Sequence, residues 1–243
     1  MTDKVNILGV SIDNLECDQV LDTAEEFIRS GKAHQIITAN SLMVNSVERD
    51  PELKRAFDNA DLVLVDSIGV VWASRFLGCG KLSGTPGIDL MLKFCALAAS
   101  RSYSIYLLGS RKFVIRKAGE NLENMFPGLR IKGMHHGYLG KGEESRILTE
   151  IRTLRPDFLF VGIGTPRAEK WISVNLNGLS VPVCMGIGGS FDVISGRLKR
   201  APRWLCESGF EWIYRLLQEP WRTIRLPGLL SFVCKVIKQK LKG

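Results

Sequence analysis

Short apolar runs rich in Val, Ile and Leu recur along the chain, at 5–10, 35–39, 62–65, 104–108, 158–161 and 183–187. Four to six such residues in succession, bounded by polar or glycine-containing turns, describe strands buried on both faces. Between them, the stretches 18–30, 51–59, 111–125, 143–153 and 166–174 place apolar residues every third or fourth position, the period of a helix with one buried face. The alternation predicts an α/β fold, a mostly parallel twisted sheet with helices on both faces. Such sheets hold ligands at the carboxyl ends of their strands. Small and polar residues follow nearly every predicted strand: Thr38-Ala39-Asn40, Asp66-Ser67, Gly109-Ser110, the 162–166 run containing Gly164, and the 186–190 run.

Composition changes this picture in one place. With 45% hydrophobic and 24% charged residues, the 243-residue chain suits one main core and a small appendage. The formal charge of +8 is not shared evenly, because from Arg197 onward eleven Lys and Arg face only Glu207, Glu211 and Glu219, which leaves residues 1–196 neutral. The expected division is therefore an α/β core over 1–196 and a basic C-terminal appendage over 197–243. Pro202, Pro220 and Pro227 predict short helices over 203–218, 221–225 and 229–241. Trp204, Trp212, Tyr214, Trp221 and Phe232 lie among Arg203, Arg215, Arg222, Arg225 and Lys235, the make-up of amphipathic helices that rest on anionic membrane surfaces, although a packed pair with a solvated basic face has the same pattern. A neutral body without a recognised motif argues against nucleic acid as partner. Six scattered cysteines without a C-x-x-C pair read as reduced thiols. Neither a signal peptide nor an apolar run of membrane-spanning length is expected, so any membrane contact would be peripheral.

The candidate chemistry is concentrated after the strands. The run M-G-I-G-G-S-F-D at 185–192 offers Gly188 and Gly189, whose backbone N–H groups can approach a diphosphate, and Ser190 and Asp192, the latter suited to ribose hydroxyls; a tight strand-to-helix turn explains the same residues. No Walker lysine follows, and no G-x-G-x-x-G is completed. Asp66 closes a buried strand, where apolar surroundings raise a carboxylate toward the working range of a general base, or it caps the following helix. Thr38 and Asn40 suit sugar hydroxyls, with Asn40 equally placed as a helix cap. Tyr138 can stack on a base ring. His135 and His136 are expected on opposite faces of an extended segment, which argues against zinc. The absence of D-x-D points to basic side chains and N–H groups, without a bound metal or other cofactor, as stabilisers of a leaving diphosphate.

Taken together and in order, T-A-N at 38–40, D-S-I-G at 66–69, P-G-I-D-L at 86–90, Y-L-L-G at 106–109, H-G-Y at 136–138, the segments 162–171 and 186–192, K-R-A-P at 199–202 and E-P-W-R at 219–222 resemble the WecG/TagA/CpsF glycosyltransferases over nearly the whole chain. The resemblance implies transfer of N-acetylmannosamine or a related sugar from a UDP-sugar to an undecaprenyl-diphosphate-linked sugar in cell-surface polysaccharide synthesis, on the inner face of the cell membrane, by a protein that also forms oligomers. It implies Asp66 as catalytic base, Thr38 and Asn40 in the sugar pocket, and Tyr138, Gly188, Gly189, Ser190 and Asp192 around UDP, with Gly109 and Gly164 in the same strand-end turns. Arg215, Arg222 and Arg225 are implied to complete the site from a membrane-docking appendage. Two positions depart from the pattern: Gly84 stands where the family carries arginine and Ala168 where it carries glutamine. Both groups are expected near the substrate, with Lys81, Arg167 or a tail arginine in compensation and an altered substrate as the consequence; a catalytically silent nucleotide-sugar-binding or scaffold protein is the alternative.

Overall fold

The computed structural model describes residues 4–140, 142–202, 204–205 and 211–242. Six strands form one wholly parallel sheet: β3 (His34–Ala39), β4 (Leu62–Val65), β5 (Ser104–Gly109), β6 (Arg130–His135), β7 (Phe158–Gly162) and β8 (Val183–Gly186), in the order β4-β3-β8-β7-β5-β6. Because all six run the same way, every strand-end turn reaches the same edge of the sheet.

Alternate residues of each strand enter opposite cores. Ile36, Leu62, Leu64, Ile105, Leu107, Phe158 and Phe160 pack with helices α1 (Cys17–Ser30), α5 (Gly87–Arg101) and α6 (Lys112–Met125). On the other face, Ile37, Val63 and Val65 meet α2 (Ser41–Ser46), α3 (Pro51–Asn59) and α4 (Ile68–Leu77), while Tyr106, Leu108, Leu159 and Val161 meet α7 (Glu143–Leu154) and α8 (Arg167–Leu179). Local signals fix the helix ends: Asp50 accepts from the Leu53 N–H at 3.1 Å with Pro51 in the first turn, and Gly31 ends α1 in the left-handed region.

Two elements differ from the sequence pattern. The run 5–10 is a hairpin and not one strand, β1 (Lys4–Ile7) and β2 (Val10–Asp13), paired antiparallel in a sheet of their own. Leu8 and Gly9, both at positive φ, make the two-residue turn, and Asn6 Oδ1 accepts the Gly9 N–H. The edge strand β6 has no apolar run, because its residues stay partly exposed although α6 and α7 lie against it.

After β8 come α9 (Ser190–Ile194), α10 (Glu211–Gln218), a 3-10 turn (Pro220–Arg225) and α11 (Leu226–Lys242). The expected helix over 203–218 lies partly outside the described residues, as does Arg203. Pro227 does not divide the chain as expected, because it occupies the first turn of α11, where its missing N–H costs nothing. Phe232 and Val236 of α11 are fully buried in the cluster containing Ile37, Val65 and Val70, at about 1.5–3 kcal/mol for each side chain. Lys235 Nζ reaches Glu48 at 2.8 Å. Among the described residues, no helix is long and apolar enough to cross a membrane.

Candidate active site

The common edge of the sheet gathers the turns in spatial order: Asp66 after β4, Thr38 and Asn40 at the end of β3, the glycine run after β8, Gly162–Gly164 after β7, Gly109 and Ser110 after β5, and Tyr138 just beyond β6. Five strand spacings of about 4.8 Å make this edge roughly 24 Å long.

At one end, the Asp66 N–H donates to Ala39 O at 3.0 Å, and Asp66 Oδ1 accepts the Gly87 N–H at 2.5 Å. Ser67, not Asp66, stands at the N-terminus of α4, so the carboxylate is not a helix cap. Burial pushes Asp66 up to about 6; the Gly87 N–H and the charge of Arg215 oppose the rise, while Glu211 and Asp89 add to it. Thr38 is buried beside this carboxylate. A Cβ on Gly87 would lie 3.0 Å from Thr38 Oγ1 and 3.3 Å from Asp66 Oδ1, so glycine lets the α5 backbone approach both. Asn40 does cap α2, accepting from the Leu42 and Met43 N–H groups at 3.1 Å.

The middle of the edge is closely packed. Gly109 has φ +146°, and a Cβ there would collide with the Gly162 backbone, which holds the β5 and β7 turns together. Gly188 lies at φ +51°, and Gly189 and Gly164 face open space. The Ser190 hydroxyl donates to Ile187 O at 2.7 Å and is buried, so it serves the turn. Asp192, in the first turn of α9, takes Arg197 Nη1 at 2.6 Å and Ser110 Oγ at 3.5 Å on one oxygen. Arg167, at the start of α8, and Tyr138 are both exposed.

The C-terminal segment returns to the Asp66 end. Arg215 is close enough to depress the Asp66 pKa, and it is bridged to Glu211 at 3.0 Å. Arg222 Nε lies 2.5 Å from Glu219, which is itself buried. Arg225, whose side chain is exposed at its surface, is lowered by partial desolvation and then by the charge of Arg222, with Glu219 opposing and Arg215 adding, so the three guanidinium groups lie near one another. Arg200 holds both oxygens of Asp89 at 2.6 Å, tying the 199–202 segment to α5.

The two departing positions are not equivalent. Gly84 bridges Val65, immediately before Asp66, and a Cβ there would meet Val71 and Val65 at 3.4–3.5 Å, ordinary contact distances. Ala168, by contrast, has no exposure and packs in the α7 and α8 core. Sequence reasoning missed its neighbour Glu169, a buried carboxyl that burial, and then the charge of Asp66, raise to about 7; its Oε2 has no hydrogen-bond partner. It also missed Gly87 as the donor to Asp66, a contact between residues 21 apart that no local pattern announces. The expectation that His135 and His136 face apart is corrected. Their ring centroids are 4.2 Å apart, because β6 ends at His135 and its pleat does not continue through His136.

The model of the WecG/TagA/CpsF glycosyl transferase family matches residues 5–243. The chain belongs to this family. Similar proteins include the N-acetylglucosaminyldiphosphoundecaprenol N-acetyl-beta-D-mannosaminyltransferases of Staphylococcus aureus strains MW2 and NCTC 8325 / PS 47, each 33% identical, over 99% of this chain and 95% of theirs. As a WecG/TagA/CpsF member the protein is a glycosyltransferase, and its strand-end turns, Asp66 and converging arginines are the parts with which such an enzyme can work.

Proposed function

We propose that this glycosyltransferase moves an N-acetylhexosamine-type sugar, N-acetylmannosamine or a close relative, from a UDP-sugar to an undecaprenyl-diphosphate-linked sugar, inverting the anomeric centre. The observation that carries the reading is Asp66: a carboxylate at the ligand edge, raised to about 6, with Arg215 brought to it from the C-terminal segment. The names of the Staphylococcus aureus relatives support the acceptor and the sugar class.

Asp66 takes the proton of the acceptor hydroxyl as that oxygen bonds to the anomeric carbon. The bond from that carbon to the diphosphate oxygen breaks on the opposite face, and UDP leaves with the electron pair. Thr38 and Asn40 stand beside Asp66 and orient the sugar. The Gly188 and Gly189 turn, with Gly109, Gly164 and Asp192, receives the diphosphate and ribose, and Tyr138 at the far end stacks on uracil. Arg215, Arg222 and Arg225, with the exposed Arg167, balance the charge that develops on UDP, so that no metal is required at the diphosphate. The basic segment 197–243 rests on the anionic inner face of the membrane, where the lipid-linked acceptor resides. Gly84, lacking the family's arginine beside Asp66, fits a donor or acceptor that differs from that of the relatives.

UDP release by the full-length protein tests the reading, across a panel of UDP-sugars with and without a short-chain lipid-diphosphate-sugar acceptor. Acceptor-dependent release from one donor is expected. UDP binding without turnover across the panel would favour a silent nucleotide-sugar-binding protein instead.

A further inference from the structure

The far end of the sheet edge holds a group of side chains that the transfer reaction does not use. His135 closes β6, His136 follows it, and Glu143 opens α7 after the connecting turn; a donor atom from each lies within 4.8 Å of the other two. Their chemistry is already arranged for a ligand. His135 Nδ1 lies 2.8 Å from His136 O, and a carbonyl can only accept, so that nitrogen carries the proton and leaves the Nε2 lone pair free. His136 Nδ1 is buried with no hydrogen-bond partner. Glu143 uses Oε2 to accept the Gly140 N–H at 2.7 Å and keeps its second oxygen.

We propose that His135, His136 and Glu143 form a binding site for one divalent cation of the zinc class. Two imidazole nitrogens and one carboxylate oxygen match the preferences of Zn²⁺, Co²⁺ and Ni²⁺ over those of Mg²⁺ or Ca²⁺, which favour oxygen alone. Three protein ligands leave a coordination position for water or another small oxygen donor. The His135 hydrogen bond to a backbone carbonyl is the supporting contact by which metal-binding histidines are ordinarily held. The site is beyond the opposite edge strand from Asp66, so it is separate from the chemical step proposed above. Its effect is on the 136–143 connection: the cation ties the end of β6 to the start of α7 and fixes the segment that carries Tyr138. The carbonyl of Ser110 already accepts the Gly137 N–H at 2.9 Å, which links this segment to the β5 turn.

The test is a Co²⁺ titration of the metal-stripped, full-length protein under reducing conditions, followed by visible absorption and by Zn²⁺ competition against a chromophoric chelator. One equivalent is expected to bind, with the ligand-field bands of nitrogen and oxygen donors and without the near-ultraviolet charge transfer of a thiolate. His135→Ala and Glu143→Gln, each checked for native circular dichroism, are expected to weaken binding at least tenfold, and a Cys79→Ser, Cys234→Ser pair is expected to leave it unchanged. Heating with Zn²⁺ should raise the wild-type midpoint and leave that of His135→Ala where it was. Absence of stoichiometric binding, thiolate bands, or equal affinity in His135→Ala and Glu143→Gln would each overturn the assignment. UDP release plays no part in this readout, so its outcome and that of the transferase assay stand apart.

Discussion

The body of the protein and its C-terminal segment present candidate groups at the Asp66 end of the sheet edge by opposite means. In the body, charge is balanced and the candidate groups are fixed by short backbone bonds, as Asp66 is by the Gly87 N–H and Asn40 by the first turn of α2. The segment from Arg197 carries the whole net charge, and large side chains such as Leu217, Trp221 and Ile224 are more than 60% exposed. The difference has a physical reason. A base that works near neutrality needs surroundings poor in positive charge, since each cation nearby pulls its pKa down. A leaving diphosphate needs several cations. On the proposed reading, arginines carried on a separate segment leave the body around Asp66 without cations of its own and meet the second need only where α10 approaches it.

The largest effect should follow from removing the body's contribution. Asp66→Asn is expected to lower kcat by about 10³-fold while UDP binding measured by calorimetry stays within a few-fold of wild type. A variant that turned over at the wild-type rate would remove Asp66 as base. The segment's contribution should be smaller, and it should have a signature of its own. Arg215→Gln is expected to lower kcat by about 10²-fold. In addition, because Arg215 opposes the rise in the Asp66 pKa, its loss should move the acidic limb of the pH–rate profile upward from about 6. An unshifted limb would mean that Arg215 serves the diphosphate alone.

The strands over 62–65 and 104–108 are legible because a strand buried on both faces must be apolar throughout, and the parallel arrangement then puts Asp66 and the glycine turns on one edge. β6 is not legible, since an edge strand with half-exposed residues needs no such run. The histidine pair departs from period-two alternation because β6 ends at His135 and the pleat does not extend to His136. Of the two roles open to Asn40 in the sequence, the structure shows the cap, with Oδ1 accepting two N–H groups of the first turn of α2. Glu169 and Gly87 depend on contacts between distant parts of the chain, and no spacing rule reaches them. The C-terminal segment was legible as a charge anomaly, but the return of α11 into the core through Phe232 and Val236 was not.

That return makes truncation a poor test of membrane contact, because it would open the core along with removing the charge. A gentler test leaves the buried face of α11 alone. Lys238 and Lys242 belong to the basic run at the end of α11, and the double change to Gln removes two charges at about 1 kcal/mol each near an anionic surface. Sedimentation with vesicles containing anionic lipid should show about 10- to 30-fold weaker binding, with no change on neutral vesicles. Equal binding by the double variant would place the contact elsewhere on the segment or on the body.

The smallest effect concerns stability and has the opposite sign to the loss of activity. A carboxylic acid whose pKa is raised on folding favours the protonated protein: its contribution is present below the unfolded value near 3.9 and is lost as pH rises through about 6. The full difference corresponds to about 3 kcal/mol, and because Asp66 retains partial exposure about 1–2 kcal/mol is the expected share. Asp66→Asn should therefore melt about 2–6 °C above wild type at pH 7.5, and the gap should close by pH 4, where the wild-type carboxyl is protonated as well. If the variant melts lower at pH 7.5, the Gly87 N–H and Arg215 outweigh burial, and the carboxylate is held ionised by the fold. In that case the body and the C-terminal segment would share the task of stabilising negative charge, and the division between an apolar pocket for the base and cations for the leaving group would fail at its central residue.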